Sequence, residues 1–248
     1  MLELQNISVS VSAQEGQDAE KEILNDVSLR VDDAKFVVIT GPNGGGKSTL
    51  AKVIAGIQPP SSGRILLDGE DITGLSITER AKKGISFAFQ QPVRFKGITV
   101  RDLLTLAAGS PQKESVLRGY LRDVGLCAKD YIDREVSGSL SGGEIKRIEI
   151  AMIMARKTKL SIFDEPEAGI DLWSFANLID VFKRLRQESS GSILIISHQE
   201  RILDIADEII VLSNGKVAGH GAKSEILPEL LGDQKQCKFC LGREEQRV

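Results

Sequence analysis

The sequence has little of what marks several large classes of protein. Aromatic residues make up only 4% of its 248 residues, so we expect a core built mostly from aliphatic side chains. Three cysteines, an odd number, do not fit a secreted disulfide scaffold. No apolar run is long enough to span a bilayer, and residues 1–6 lack the basic and apolar regions of a secretory signal. We therefore expect a cytoplasmic protein that does not insert directly into a membrane.

An excess of basic residues is also missing. The net charge is −3 and the sequence pI is near 5.6, which argues against a general binder of nucleic acid or of anionic membrane surfaces. We therefore expect no nucleic-acid partner. The hydrophobic fraction of 41% is enough for a sizeable core, either in one large domain or in a core with a subdomain.

The most informative segment is a glycine-rich loop between a β-branched run and an apolar run typical of a helix. It fits the pattern G-x-x-x-x-G-K-[ST] in the strand–loop–helix context that this motif requires. Glycines let the backbone close around a phosphate, and the N–H groups at the helix start point at the anion. Lys47 is then placed to reach the outer phosphates and Ser48 to bind Mg²⁺. The predicted phosphate-binding residues are Gly41, Pro42, Asn43, Gly44, Gly45, Gly46, Lys47, Ser48 and Thr49.

Segments typical of strands alternate with segments typical of helices along most of the chain. Residues 2–11 and 23–31 predict a hairpin of strands, and the apolar runs before Asp164 and His198 predict buried parallel strands. Strand signals vanish between residues 91 and 136, where the apolar spacing is helical. We therefore predict an α/β fold with a mixed sheet core, antiparallel hairpins and an inserted helical subdomain. The predicted boundaries are 1–90 and 137–225 for the core, 91–136 for the helical subdomain and 226–248 for the tail.

Two carboxylates, Asp164 and Glu165, follow one of these apolar strands. In phosphate-loop enzymes an acid at this place helps to hold magnesium, which predicts that role for Asp164. Glu165 is then placed to orient and activate the attacking water as a general base. Two solvated acids at a strand end are the alternative, and the phosphate loop upstream favours catalysis.

The segment Leu140-Ser141-Gly142-Gly143-Glu144 resembles the signature motif of the ATP-binding-cassette (ABC) ATPases. That resemblance implies a phosphate-loop NTPase fold of the ABC type with ATP and Mg²⁺ as ligands. It also implies that Ser141, Gly142 and Gly143 face the γ-phosphate held by a second protomer, because a helix N-terminus favours an anion. An ATP-dependent head-to-tail homodimer with two composite sites follows.

Three further positions match smaller ABC motifs in the expected order. Gln90 resembles the Q-loop glutamine that contacts Mg²⁺ and the attacking water, and Asp171 resembles the D-loop aspartate at the dimer interface. His198 resembles the switch histidine that contacts the γ-phosphate. The resemblance thus implies Gln90, Glu165 and His198 as catalytic residues. The implied metal ligands are Ser48, Gln90 and Asp164.

One family feature is absent. Many ABC ATPases stack adenine on an aromatic residue before the phosphate loop, whereas no Phe, Tyr or Trp precedes Phe36 here. We expect adenine to rest on aliphatic side chains such as Val11 or Ile23. Because aromatic stacking is missing, we expect modest nucleotide affinity, and base selectivity stays open.

Several longer segments resemble SufC, the ATPase of the Suf system for iron–sulfur cluster assembly. They are residues 87–93, 141–147, 163–171 and 198–204. This resemblance implies a SufB- or SufD-like scaffold that docks near residues 90–99 and is rearranged when ATP closes the cassette dimer. The alternative is the nucleotide-binding subunit of a membrane ABC transporter. Transporter subunits more often carry Gln where Glu144 stands.

The C-terminal pair Cys237 and Cys240 departs from the family pattern. A C-x-x-C pair in a reducing compartment can be half of a zinc or iron–sulfur site. A full site needs further ligands, and Cys127 and His220 are the only other soft candidates in the chain. An exposed thiol pair on a charged tail is an equal alternative.

Overall fold

The computed structural model describes residues 1–11, 21–91, 93–137, 140–188 and 190–232 of the chain. The strands are β1 (Leu2–Val11), β2 (Lys21–Val31), β3 (Phe36–Thr40), β4 (Ser62–Leu67), β5 (Glu70–Asp71), β6 (Ile85–Ala88), β7 (Leu160–Asp164), β8 (Ser192–Ile196), β9 (Glu208–Ser213) and β10 (Lys216–Ala222). The helices are α1 (Lys47–Ala55), α2 (Ile77–Lys82), α3 (Val100–Ala108), α4 (Glu114–Asp123), α5 (Ala128–Tyr131), α6 (Gly142–Arg156), α7 (Leu172–Glu188), α8 (Glu200–Asp204) and α9 (Lys223–Leu231).

These strands form two sheets. The smaller sheet is antiparallel, with the order β2-β1-β4-β5. The larger sheet has the order β10-β9-β3-β8-β7-β6, in which β9 through β6 run parallel and β10 returns antiparallel to β9. The predicted α/β fold with a mixed sheet and antiparallel hairpins is therefore confirmed.

The central strands of the larger sheet bring the sequence motifs to one edge. Every residue of β3, β7 and β8 is buried, as expected for parallel strands covered on both faces. The phosphate loop follows β3, Asp164 ends β7, and Gln90 and His198 each lie two residues beyond a strand end. Ligands of such sheets bind outside the carboxyl ends of the strands, so this edge is the candidate site.

Helix α1 lies in an aliphatic core shared by the two sheets. Its residues Leu50, Val53 and Ile54 belong to the same buried cluster as Leu4 of β1 and Ile39 of β3. The helix that follows the phosphate loop is thus held by packing from both sheets. That packing fixes the direction in which its N-terminus points.

A buried arginine caps the C-terminal end of α1. The side chain of Arg80 in α2 is only 1% exposed. Its guanidinium donates hydrogen bonds to four main-chain oxygens, those of Val53, Ile54, Thr73 and Leu75, at 2.7 to 3.1 Å. Burial lowers the pKa of Arg80, but an arginine stays charged in proteins. A cation at a helix C-terminus is favourable because the last carbonyls carry partial negative charge.

The segment from 91 to 136 is helical in its described residues. It contains α3, α4 and α5, and its only described β-pairing is an isolated bridge between Thr99 and Glu135. Leu104 and Leu121 from this segment share a buried cluster with Phe163 of β7 and Phe182 of α7. The helices therefore pack onto the sheet domain through a continuous core. The boundaries at 91 and 136 stay a prediction.

Within the described ranges, no helix is both long and apolar enough to cross a membrane. Cys237 and Cys240, which raised the prediction of a metal site, lie outside the described residues.

Candidate nucleotide-binding site

The phosphate loop packs against β2 and β9, and this contact requires a glycine at positions 41 and 46. Gly41 has a φ of 132°, and a Cβ atom there would lie 2.0 Å from the main-chain oxygen of Leu212. Gly46 has a φ of 96°, and its Cβ would lie 2.9 Å from the oxygen of Ile23. At Gly44, in contrast, no described atom lies within 4 Å of such a Cβ. The loop backbone is therefore covered by the strands at Gly41 and Gly46. It is uncovered at Gly44, where an anion can approach the backbone.

Lys47 lies inside this loop. Its side chain is 5% exposed, and its Nζ donates hydrogen bonds to the oxygens of Gly41 and Pro42, each at 2.9 Å. Burial lowers the pKa of Lys47, while Glu165 and Asp164 act in the opposite direction. A cation held at the centre of a curved backbone is the arrangement that phosphate binding requires.

Ser48 and Asp164 meet directly beside the loop. The Oγ of Ser48 donates a hydrogen bond to Oδ1 of Asp164 at 2.9 Å. Burial raises the pKa of Asp164, whereas the bond from Ser48 lowers it. Magnesium prefers hard oxygen ligands, and a hydroxyl next to a carboxylate supplies two of them. These residues therefore fit the predicted magnesium site.

Glu165 is the centre of a second cluster at the same edge. The Nε2 of Gln90 donates a hydrogen bond to Oε2 of Glu165 at 2.6 Å, and Nε2 of His198 lies 3.9 Å from Oε1 of Glu165. Three residues from separate parts of the sequence are thus brought together. Burial, followed by the charge of Lys47, lowers the pKa of His198, so the imidazole is neutral at pH 7.

The backbone conformation at Glu165 is unusual. Its φ is 44°, in the left-handed region that non-glycine residues seldom adopt. Its main-chain N–H donates to the oxygen of Ile196 in the neighbouring strand β8 at 3.0 Å. Strain of this kind persists only where the surrounding structure enforces it and clusters at functional sites.

The signature segment forms the start of α6. Ser141 is the N-cap residue, and its hydroxyl accepts a hydrogen bond from the main-chain N–H of Glu144. The Glu144 carboxylate accepts in return from the main-chain N–H of Ser141. Gly143 packs against Ser174 of α7, whose first turn is capped by Asp171 through a 3.0 Å bond from Ser174 N–H. The predicted contact of Ser141, Gly142, Gly143 and Asp171 with the nucleotide of a second protomer stays a prediction.

A buried lysine and a half-buried glutamate on α6 were missed by the sequence interpretation. Lys146 is 2% exposed, and its Nζ donates to the main-chain oxygen of Phe89, the residue before Gln90. The Oε2 of Glu149 lies 3.4 Å from that Nζ. Burial raises the pKa of Glu149. The signature helix is therefore connected directly to the loop that carries Gln90. Both charges lie on a helix face rich in Ile and Met, and this position was the sequence signal that could have indicated their burial.

The structure also locates the side chains predicted to support adenine. Ile23 is half-buried in β2, and its main-chain oxygen faces Gly46 of the phosphate loop. Val11 is 42% exposed and pairs with Lys21 at the end of the β1–β2 hairpin. Adenine support by these aliphatic residues stays a prediction, and Ile23 is the one that borders the loop.

Comparison with known proteins identifies the family to which this geometry corresponds. A family model described as ABC transporter matches residues 24–168. The chain belongs to this family. It is 41% identical over 230 residues to the uncharacterized ABC transporter ATP-binding protein MJ0035 of Methanocaldococcus jannaschii, covering 89% of this chain and 90% of that protein.

Other relatives carry names from different systems. The probable ATP-dependent transporter ycf16 of Pyropia yezoensis is 34% identical over 238 residues, covering 90% of this chain and 91% of that protein. The lipopolysaccharide export system ATP-binding protein LptB of Escherichia coli is 31% identical over 216 residues, covering 84% of this chain and 88% of that protein. The family therefore includes relatives that are named for different systems.

Solved structures confirm the fold. The ADP conformation of MJ1267, an ATP-binding cassette of an ABC transporter, matches with a TM-score of 0.79 and 28% identity, covering 98% of each chain. A dimeric post-hydrolysis state of the cassette MJ0796, bound to ADP and Pi, matches with a TM-score of 0.78 and 22% identity, covering 90% of this chain and 99% of that chain. This chain is therefore an ABC-type ATPase that binds and hydrolyses ATP, and Mg²⁺ is the metal typical of such cassettes.

Proposed function

We propose that Glu165 is the general base of ATP hydrolysis and that Gln90 and His198 complete the catalytic cluster. The observation that supports this most is the contact of Gln90 and His198 with the two oxygens of one carboxylate. A base must lie within hydrogen-bond reach of the water it activates, and a neighbouring amide donor orients that carboxylate. A neutral imidazole still carries one N–H group, and this group can donate a hydrogen bond to the γ-phosphate.

The remaining site residues hold the substrate. Lys47 and the main-chain N–H groups of residues 43–49 cradle the phosphates, while Ser48, Gln90 and Asp164 hold the metal. Magnesium, when bound, neutralises charge on the phosphate oxygens during transfer. Ser141, Gly142, Gly143 and Asp171 act on the nucleotide of the second protomer in an ATP-dependent head-to-tail homodimer. The exposed N-terminus of α6, capped by Ser141, supports this role.

We propose that the work done by this ATPase is the rearrangement of a SufB- or SufD-like scaffold during iron–sulfur cluster assembly. The resemblance of residues 87–93, 141–147, 163–171 and 198–204 to SufC supports this partner. The structure adds a groove of about 520 Å³ between the sheet domain and the helical segment. It is lined by the apolar side chains of Phe87, Phe89, Val93, Phe95, Ile98 and Leu106, among others.

The groove is linked to the ATP site through the residues that line it. Phe89 precedes Gln90, and its main-chain oxygen is held by Lys146 of the signature helix. A scaffold segment that displaces Phe89 therefore moves Gln90 relative to Glu165. Coupling of this kind requires that the scaffold prefer one state of the cassette over the other.

The test is an affinity purification of the tagged chain under anaerobic conditions, with mass spectrometry of the co-purifying proteins. Recovery of a β-rich soluble scaffold that carries iron and sulfide supports the cluster-assembly function and a cytoplasmic location. Recovery of a membrane protein with several spanning segments contradicts it. In that case the chain is the nucleotide-binding subunit of a transporter, the second candidate function. The similarity to LptB, named for an export system, and to ycf16, named a probable transporter, favours this function.

Replacing Leu106 with Glu is expected to weaken scaffold binding by at least about 10-fold, because the change buries a charge in an apolar interface. Leu106 is 70% exposed at the groove, so folding and basal ATP hydrolysis should be unchanged. The measurement is the Kd of the purified scaffold for each variant. Leu231→Glu is the matched control, since Leu231 is 52% exposed in α9, away from the groove. Equal affinity of both variants would rule out this docking surface.

The predicted metal site at Cys237 and Cys240 has a direct test. The metal content of the purified wild-type chain is compared with that of the Cys237→Ser/Cys240→Ser double variant. If the pair supplies half of a zinc or iron–sulfur site, the double variant loses about one metal equivalent per complete four-ligand site. Equal metal content in both proteins would contradict the prediction.

A further inference from the structure

Glu167 lies two residues beyond Glu165 and contacts the loop that carries His198. The Oγ of Ser197, which is completely buried, donates a hydrogen bond to Oε1 of Glu167. The main-chain N–H of His198 also stabilises the ionised form of this carboxylate. The same Ser197 hydroxyl accepts from the N–H of Gln199 at 3.0 Å. One carboxylate therefore interacts with the residue before His198 and with the main-chain N–H of His198 itself.

The buried position of the Glu167 carboxylate lowers the stability of the fold. Burial raises the pKa of Glu167, and its Oε2 atom is buried with no hydrogen-bond partner among the described residues. An unpartnered buried carboxylate oxygen lowers stability, and the loss is larger for a charged group than for a neutral one. Costs of this kind are common where a polar group serves the site rather than the stability of the fold.

We propose that Glu167 is a positioning residue for ATP hydrolysis: its carboxylate fixes Ser197 and the backbone of His198, so that the His198 imidazole stays beside Glu165. The proposal rests on the catalytic roles proposed above for His198 and Glu165. The loop after β7 and the loop after β8 are joined by this carboxylate and by the bond from Glu165 N–H to Ile196. Glu167 thus keeps the two sides of the catalytic cluster at a fixed separation.

The test measures kcat and KM for ATP, together with Tm, for the full chain carrying Glu167→Ala or Glu167→Gln. We expect Glu167→Ala to lower kcat by about 10- to 100-fold with little change in KM, because a displacement of about 1 Å in a catalytic group costs up to 100-fold. Glu167→Gln should recover most of the rate, since its amide oxygen still accepts from Ser197. A loss that appears in Tm alone, with kcat retained, would overturn the proposal.

The decisive step repeats Glu167→Ala in a His198→Ala background. If Glu167 acts through His198, the second change should lower kcat by less than about 2-fold, since residues that act as a unit are not additive. Equal losses in both backgrounds would overturn the proposal. A normal kcat in His198→Ala alone would instead refute the role of His198, and this proposal with it. If Glu167→Ala fails to fold, Ser197→Ala breaks the same contact and is expected to give the same pattern.

Discussion

Replacing Glu165 with Gln is expected to lower kcat for ATP hydrolysis by at least about 100-fold, the lower end of what a general base contributes. The amide has no proton-accepting oxygen of comparable basicity, so the attacking water is no longer activated. Its shape is retained, and its carbonyl oxygen still accepts from Gln90, which lies 2.6 Å from the carboxylate in the wild type. The loss is therefore chemical, and the measurement is steady-state release of phosphate.

The same variant is expected to keep ATP binding and to accumulate as a closed dimer. Phosphate contacts depend on Lys47 and the loop backbone, which this substitution leaves in place, while the step that reopens the dimer is blocked. Equilibrium binding of ATP and size-exclusion chromatography with ATP and Mg²⁺ measure the two effects. Glu70→Gln is the control, because Glu70 is an exposed acid in β5 that pairs with Lys83. Unchanged turnover in Glu165→Gln would refute the assignment of the base.

The sequence placed the candidate site residues at strand ends because their motifs are local and follow strands. A glycine-rich loop must follow its strand directly, and the apolar runs before Asp164 and His198 identified the buried strands that carry them. Parallel strands place their carboxyl ends together, so the meeting of Gln90, Glu165 and His198 followed from the fold. A capping box between Ser76 and Glu79 is likewise a local feature, since both partners lie within one turn.

Element boundaries were less predictable where tertiary contacts decide them. Strand β2 begins at Lys21, two residues before the predicted start at Ile23, because Lys21 pairs with Val11 across the hairpin. Helix α6 runs to Arg156, and its end is set by Lys157 with a φ of 53°. A lysine in the left-handed conformation carries no sequence signal comparable to a glycine at that place.

Charged residues that are buried or half-buried were the main omission. Lys146, Glu149, Glu167 and Arg80 belong to residue types that are nearly always exposed, so their pattern in the sequence indicates a solvated surface. The partners of Lys146 and Arg80 lie far along the chain: Lys146 contacts Phe89, and Arg80 contacts residues of α1. No local rule can anticipate such a pair. These residues connect separate helices and loops, and such contacts are the main information that the structure adds to the sequence motifs.

Arg80 is the position where we expect the largest loss of stability. Replacing a buried ion pair with apolar residues is often harmless, because both charges are removed together. Here the partners are main-chain oxygens that remain after the substitution. Arg80→Met would leave the oxygens of Ile54, Thr73 and Leu75 without this donor in a buried region, and would remove the positive charge at the end of α1.

We expect Arg80→Met to lower the free energy of unfolding by at least about 3 kcal/mol, since each unsatisfied buried oxygen costs about 1–3 kcal/mol and the structure relaxes in part. For a chain of this size, Tm should then fall by roughly 10 °C, measured by calorimetry or circular dichroism. Arg64→Met, at an exposed position of β4, should change the free energy of unfolding by less than about 0.5 kcal/mol. Equal stability of the two variants would mean that water replaces the guanidinium, and that packing from the two sheets alone holds the helix behind the phosphate loop.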